Sequence, residues 1–173
     1  MKIFLKKESL HIKNASCEQL HELAVFLDNC WKVFYRNILD KAYLDALSSD
    51  ARHQRLLKHF NEKPSDFLVL CDTNSIAGAV IFKGEEDSKE GEIAALYLRE
   101  DLHGQGHGHR LLAQAEEALF ARGHRRIVLE VFVENTSAIR FYQSHGYSKV
   151  KENRMVVDGH AFPPSLVMRK EIA

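Results

Sequence analysis

Three glycines at alternate positions separate a strand-like run from a helix-like run in the middle of this chain. They are Gly104, Gly106 and Gly108 in the stretch HGQGHGHRLL. Glycine adopts positive φ and lets a ligand approach the backbone without meeting a Cβ atom. Successive N–H groups can then point into one concavity, to which the following helix adds the positive end of its dipole. The stretch therefore predicts either a phosphate-binding loop or a plain tight turn.

The chain before this loop changes from a helical to a strand periodicity. Apolar and polar residues alternate loosely over 2–12, which predicts an edge strand. A capping box between Ser16 and Gln19 marks the start of a helix with one apolar stripe. Apolar periodicity predicts helical segments at 15–30, 31–47 and 50–60. A β-hairpin is predicted with strands at 66–72 and 75–83 and its turn at Thr73 and Asn74. A further strand is predicted at 92–98.

The chain after the loop predicts a long helix, a strand, a short helix and two strands. The long helix should expose Gln114, Glu116 and Glu117 and end at Gly123. The nearly all-apolar run at 125–133 is typical of a strand buried on both faces. The short helix is expected at 135–145. The two final strands are expected at 147–157 and 166–172, with a turn at Asp158–Gly159 between them. The 173 residues therefore form a single α/β domain, 1–173, with a mixed sheet.

Charge and cysteine content limit the partners that this chain can have. Lysine plus arginine and aspartate plus glutamate both number 24, so no overall field favours nucleic acid or an anionic membrane. No apolar run reaches signal-peptide or membrane-spanning length. Cys17, Cys30 and Cys71 form no C-x-x-C pair. We therefore expect a cytoplasmic protein with reduced cysteines and no membrane contact.

Two other uses of the glycine stretch compete with a simple phosphate loop. The dinucleotide fingerprint begins at Gly104 and Gly106 and has Glu130 downstream, but its third glycine position is His109. A metal site would use His103, His107 and His109. No carboxylate or cysteine accompanies these histidines locally, and a flexible loop does not fix a coordination shell, so no metal is expected.

The chain resembles the GNAT superfamily of N-acetyltransferases from about Glu92 to Val150. The segment HGQGHG is similar to their acetyl-CoA pyrophosphate loop, and ENTSAIRFYQSHGY is similar to their second signature. The resemblance implies a GNAT-like acyl-CoA N-acyltransferase fold, an α/β fold with a central mixed, mostly antiparallel sheet flanked by helices on both faces. One departure is His103, which stands where the family has arginine or glutamine. Its effect on cofactor affinity, or on the pH dependence of binding, is left open.

The resemblance also implies a site for acetyl-CoA as co-substrate. A strand backbone would pair with the pantetheine arm, the loop would hold the pyrophosphate, and the second signature would contact the arm. The corresponding residues are Leu96, Tyr97 and Leu98; His103, Gly104, Gln105, Gly106, His107, Gly108 and His109; and Asn135, Ala138 and Phe141. Asn135 should in addition cap the helix that it begins.

Catalytic roles follow from the same resemblance. Tyr142 is the candidate general acid for the leaving thiolate. Glu92 is the candidate general base, often acting through water in relatives, and it should share one strand face with Ala94 and Leu96. Tyr97 or a water chain is the alternative base. Beside the packing aromatics, Tyr35 and Tyr43 are the candidates for contacting the acceptor.

The predicted activity is transfer of the acetyl group from acetyl-CoA to a primary amine by direct attack in a ternary complex. The acceptor, a small amine or polyamine or a peptide amine, is not identified by the fold. The alternative is a non-catalytic acyl-CoA-binding module with this fold, and a dinucleotide-dependent enzyme is third. Similar proteins are often dimers, so the resemblance also suggests a homodimer.

Overall fold

A seven-stranded sheet forms the centre of the structure, a computed structural model that describes residues 10–72, 75–154, 156–157 and 160–172. Its strands are β1 (His11–Asn14), β2 (Phe67–Cys71), β3 (Ile76–Gly84), β4 (Glu90–Leu98), β5 (Arg126–Phe132), β6 (Ser148–Asn153) and β9 (Ser165–Glu171). They lie in the order β1-β2-β3-β4-β5-β9-β6. In this described sheet β4 and β5 run parallel and the other neighbours antiparallel, which confirms the predicted mixed sheet.

Helices cover both faces of this sheet, as predicted. They are α1 (Leu20–Phe34), α2 (Lys41–Asp45), α3 (Ser49–Glu62), α4 (His107–Ala121) and α5 (Thr136–Ser144). On one face, the α1 leucines and Phe60 of α3 pack against Phe67, Val69 and Ile81. On the other face, α4 packs against Val80 and Phe82, and α5 adds Tyr142 to the same core. The predicted apolar stripe of α1 is confirmed, because its leucines are buried.

The beginning of α1 agrees with the sequence, but its end does not. A 3₁₀ turn at Cys17–Gln19 precedes the helix, and the Ser16 N–H donates to Gln19 Oε1 at 3.3 Å, as a capping box requires. The prediction of a helix over 31–47 is wrong, since α1 ends at Phe34 and α2 begins at Lys41. Turn-favouring residues explain the break: Asn37 and Asp40 lie in this connection, where side-chain oxygens compete with helical hydrogen bonds.

Strand β5 buries one face along its length but the other face only at Phe132, whereas burial of both faces was predicted. Ile127, Leu129 and Val131 are buried, whereas Glu130 is exposed and Val128 is half-buried. The helices explain the difference, because α1 and α3 pack mainly over β2 and β3 and leave this part of β5 uncovered. The outward face of β5 is therefore open at Val128 and Glu130.

Glu116 is also placed differently from the prediction that it lies on the polar face of α4. Its side chain is 15% exposed and accepts hydrogen bonds from the Tyr147 hydroxyl at 2.8 Å and Lys170 Nζ at 2.6 Å. A carboxylate paired in this way can face the protein interior. Gly123, with φ of 95°, follows the end of α4 as predicted.

The C-terminal part contains more strands than the two that were predicted. Short strands β7 (Val156–Val157) and β8 (His160–Ala161) form a separate hairpin, and β9 lies between β5 and β6. The predicted β2–β3 hairpin is confirmed as an antiparallel pair. The predicted turns at 73–74 and 158–159, and residues 2–9 of the predicted edge strand, lie outside the described residues.

Candidate active site

The sheet opens between its two parallel strands. The described β4–β5 ladder runs from the pair Glu90–Arg126 to the pair Ile93–Leu129 and contains no pair beyond it. Next to Ile93, Ala94 is an extra residue in the ladder with β3, so β4 bulges where it leaves β5. Beyond the bulge, β4 keeps its pairing with β3 on one side only. Its other backbone edge faces the opening and can pair with an extended ligand.

The glycine-rich loop lies between the end of β4 and the start of α4. Gly104 and Gly106 have φ of 74° and 83°, in the left-handed region that glycine tolerates. A Cβ atom at either position would meet nothing within 4 Å, so the loop surface is open. Gly106 is the N-cap of α4, whose first N–H groups have no partner within the helix. This loop can therefore hold an anion on its backbone.

The three histidines of the loop take separate positions. His103 donates from Nε2 to the Leu98 carbonyl at 3.0 Å and stacks on Phe34, with ring centroids 5.4 Å apart. His107 contacts Arg110, and His109 contacts His145. His103 thus fastens the loop to β4 and α1 instead of projecting into it. Among the residues that the structure describes, no group of three His, Cys, Asp or Glu side chains is placed to hold a metal ion.

Helix α5 forms the other wall of the opening. Asn135 caps it, because its Oδ1 accepts the Ala138 N–H at 3.2 Å. Ala138 and Phe141 are half-buried against the core that also contains α4, and Phe141 lies next to Gly108 of the loop. The second signature and the glycine loop, which are separate segments of the sequence, are therefore neighbours in the fold.

Tyr142 has a buried ring, and its hydroxyl makes no hydrogen bond to the described residues. Its residue exposure is 8%, and its ring contacts those of Phe141 and Tyr147. Its hydroxyl has no hydrogen-bond partner among the described residues. Every fully buried polar side-chain atom among these residues does have a partner. The hydroxyl is therefore not completely enclosed. Burial, with a smaller contribution from Tyr35, raises the pKa of Tyr142, so it stays a hydrogen-bond donor.

Two more tyrosines meet beside Tyr142. The Tyr35 and Tyr97 hydroxyl oxygens are 2.9 Å apart. Burial is the main cause that raises the pKa of each phenol. The Tyr35 ring packs edge-on against Phe132 at 5.0 Å. The structure thus directs the Tyr35 hydroxyl to Tyr97.

Tyr43 joins the same aromatic cluster as Tyr35. It is half-buried and packs edge-on against Phe162, with ring centroids 5.2 Å apart. Phe162 in turn stacks on Phe132, at 6.3 Å between centroids. The two predicted acceptor-contacting tyrosines therefore belong to one cluster, which closes the α1 side of the opening.

Glu92 lies on a different face from the one predicted. The extra residue at Ala94 shifts the alternation, so Glu92 shares its face with Ala95 and Tyr97, while Leu96 packs on the α4 side. The expectation that Glu92, Ala94 and Leu96 share one face is therefore wrong. The Glu92 carboxylate is 42% exposed and forms an ion pair with Lys83 Nζ at 3.2 Å.

Glu130 is a second carboxylate on this face, which the sequence analysis considered only as part of a dinucleotide fingerprint. It is the first β5 residue beyond the ladder with β4. Its Oε1 accepts hydrogen bonds from Ser165 Oγ and, at 3.0 Å, from Asn153 Nδ2. Among described residues no hydrogen bond to Oε2 is present. The signal in the sequence is one acidic residue inside an apolar run, IVLEVFV.

The comparisons with known proteins agree with this geometry. A model of the Acetyltransferase (GNAT) family matches residues 31–147. The chain is 28% identical over 155 residues to an uncharacterized N-acetyltransferase, YuaI, of Bacillus subtilis (strain 168), covering 86% of each. It is 32% identical over 91 residues to N-alpha-acetyltransferase 30 of Schizosaccharomyces pombe (strain 972 / ATCC 24843), covering 51% of this chain and 61% of that protein.

A solved structure has the same fold. The PaiA N-acetyltransferase from Thermoplasma acidophilum, in complex with coenzyme A, aligns with a TM-score of 0.79 and 22% identity. The alignment covers 95% of this chain and 99% of that one. No helix in the described part of this chain is both long and apolar enough to cross a membrane.

Proposed function

This chain belongs to the acetyltransferase (GNAT) family, and we propose that it transfers the acetyl group of acetyl-CoA to a primary amine by direct attack in a ternary complex. One observation supports the proposal: β4 leaves β5 after the pair Ile93–Leu129, close to a glycine loop with an open backbone and to α5, which carries Tyr142. The loop, the strand edge and a proton donor are the parts that this reaction requires.

The glycine loop is the proposed site for the pyrophosphate of acetyl-CoA. Gln105 fixes the loop, since its Nε2 donates to the Asp101 carbonyl at 2.8 Å. The backbone from His103 to His109 would then offer N–H groups, and the 15-residue helix α4 adds the positive end of its dipole. The open space at Gly104 and Gly106 fits this role.

The strand edge of β4 is the proposed site for the pantetheine arm. Backbone groups of Leu96, Tyr97 and Leu98 would pair with the amides of the arm, as an added strand does. A backbone N–H on this edge would stabilise the negative charge that develops on the thioester oxygen. Asn135, Ala138 and Phe141 would line the arm from α5.

The acetyl transfer needs one proton donor and one proton acceptor. The amine nitrogen attacks the carbonyl carbon, so the C–N bond forms and the C–S bond breaks. The Tyr142 hydroxyl donates to the departing sulfur. The excess proton of the amine passes to a carboxylate on the outward face, for which Glu92, acting through water, and Glu130 are the two candidates.

The acceptor is proposed to be a small amine, a polyamine or a peptide amine. The Glu92 and Glu130 carboxylates would attract a cationic amine. The aromatic cluster of Tyr35 and Tyr43 would border it. The relative from Schizosaccharomyces pombe is named an N-alpha-acetyltransferase, which supports including peptides in the search.

The setting of the reaction is proposed from the same features. The three cysteines are free, and Cys30 and Cys71 are buried, which agrees with a reducing cytoplasm. Association into a homodimer stays a prediction from the family resemblance.

Thiol release from acetyl-CoA, measured with a panel of amines, tests the proposal. One or more amines should support turnover, and Tyr142→Phe should lower kcat by about 10²-fold or more while the affinity for coenzyme A is kept. Tyr147→Phe is the matched control, since that hydroxyl contacts Glu116 inside the core. Acetyl-CoA binding without turnover of any amine would instead favour a binding module, and absence of binding would refute the proposed function.

A further inference from the structure

Two imidazoles join the glycine loop to the end of α5. His109 Nδ1 and His145 Nε2 are 3.0 Å apart, with ring centroids separated by 5.1 Å. His145 also packs on the Phe141 ring at 4.3 Å, and Phe141 lies against Gly108. The pair therefore connects two walls of the coenzyme site, in the first turn of α4.

The contacts of His145 fix where its protons lie. His145 Nδ1 is 2.7 Å from the Phe141 carbonyl oxygen, which only accepts, so Nδ1 carries a hydrogen. In the neutral ring Nε2 is then an acceptor, and His109 must donate to it from Nδ1. His109 Nε2, which has no hydrogen-bond partner among the described residues, is then an acceptor, so the ring adds no donor to the backbone N–H groups in the first turn of the helix.

One added proton reverses this polarity. Whether it resides on His145 or on His109, the ring of His109 then carries a hydrogen on Nε2 while the bond between the two rings is kept. The pair becomes a single shared cation with a donor at the anion-binding end of α4. A bound diphosphate favours this charged form, because opposite charges stabilise each other.

We propose that His145 is a positioning residue that, through His109, couples binding of the coenzyme A diphosphate to uptake of one proton from solvent. This inference rests on the proposed function, since it takes the glycine loop as the diphosphate site. His145 itself need not touch the coenzyme. Affinity for coenzyme A should then decrease as the pH rises, because the neutral pair must acquire a proton in order to bind.

The neighbouring charged groups leave the pair without a competing anion. On α4 they are His107 and Arg110, which contact each other, and on α5 the nearest is Arg140. Neither imidazole forms an ion pair with a carboxylate in the part of the chain that the structure describes. From β9, the Lys170 side chain lies against Gly146, next to His145 in sequence, and its Nζ is paired with Glu116 at 2.6 Å. A bound anion therefore supplies the missing negative charge.

Isothermal titration of the full chain with coenzyme A measures the linked proton directly. Titrations in two buffers with different ionisation enthalpies give the number of protons taken up, and the absence of the acetyl group prevents turnover. For the wild type we expect a net uptake of protons on binding and a Kd that rises with pH, because the bound state holds more protons than the free state.

His145→Asn is the decisive variant. The amide can keep the hydrogen bond to the Phe141 carbonyl but takes up no proton. We expect its Kd at about pH 8 to match that of the wild type, with the gain at low pH and most of the proton uptake lost. His109→Asn should lose the uptake as well. His21→Gln, a change at an exposed histidine that pairs with Asp50, should retain it in full.

The outcomes separate this inference from the proposed function. Coenzyme A that binds to the wild type without proton uptake overturns the inference alone. Unchanged uptake in His145→Asn also overturns it, because the proton would then belong to another group. If coenzyme A fails to bind at every pH, the proposed function fails and the inference falls with it.

Discussion

Single side chains decide which groups can exchange protons at the opening between β4 and β5. Glu92 pairs with Val128 across the ladder, and Glu130 is two residues further along β5. Glu130 is therefore about 7 Å nearer to the opening along the strand. Hydrogen bonds from Ser165 and Asn153 hold its carboxylate, whereas Glu92 is held by an exposed ion pair with Lys83. The two carboxylates thus differ in both position and support.

Replacing each carboxylate by its amide distinguishes the two candidates for the general base. We expect Glu130→Gln to lower kcat by about 10²-fold, because a positioned base contributes at least this much. Glu92→Gln, which keeps the shape and removes an exposed ion pair, should change kcat by less than about threefold. The measurement is kcat at saturating amine and acetyl-CoA. The reverse order of effects would assign the amine proton to Glu92.

The raised pKa of Tyr142 has a consequence for the rate at alkaline pH. A general acid acts in its protonated form, and a phenol whose pKa lies above the ordinary value of about 10 keeps its proton up to and beyond that pH. We therefore expect no loss of kcat from ionisation of Tyr142 between about pH 8 and pH 10. A pH profile of kcat at saturating substrates checks this. A decrease in this range in the wild type, absent from Tyr142→Phe, would contradict the assignment.

At the scale of elements, local sequence patterns predicted the beginnings and ends of helices well. The capping box of α1, the cap at Asn135 and the stop at Gly123 depend on neighbours in sequence, and they are present in the structure. The position of β9 between β5 and β6 depends on pairing across the fold, which no local pattern contains. The same holds for the bulge at Ala94, which changed the face of Glu92.

The candidate site was predictable to the same extent. The glycine loop and α5 carry their residues within short motifs, so both were identified from the sequence. The contact of His109 with His145 joins residues 36 positions apart, and only the fold reveals it. Glu130 was considered only as part of a dinucleotide fingerprint, because the end of the β4–β5 ladder is a property of two strands together.

The left-handed glycine before α4 offers a test of the coenzyme loop as an element. Gly106→Ala forces a side chain into a conformation with φ of 83°, at a cost of about 1–2 kcal/mol. Gly123→Ala imposes the same strain after the other end of α4, with φ of 95° and equally open space. Both variants should lose similar stability in urea titrations. Only Gly106→Ala should raise the KM for acetyl-CoA. An equal rise of KM in both variants would show that the loop does not bind the coenzyme.

At the scale of the whole molecule, one buried carboxylate joins the two helical layers. Asp66, which has no exposed surface, accepts from Arg122 just after α4 and from His59 of α3 at 2.9 Å. These helices lie on opposite faces of the sheet. Helix α4 is roughly 22 Å long, so this junction lies at the far end from the glycine loop. This junction and the proposed coenzyme loop are therefore at opposite ends of the same helix.

Removing that carboxylate should separate stability from function. Asp66→Ala leaves the Arg122 guanidinium, 27% exposed, without its buried partner, and we expect the free energy of unfolding to fall by about 3 kcal/mol. Asp50→Ala, which removes an exposed pairing with His21, should change it by less than about 0.5 kcal/mol. Urea titrations measure both changes. The KM of Asp66→Ala for acetyl-CoA, measured well below its unfolding temperature, should stay within about twofold of the wild type, since the glycine loop is anchored separately by Gln105 and His103. A large rise in KM at full folding would show that the two ends of α4 are coupled.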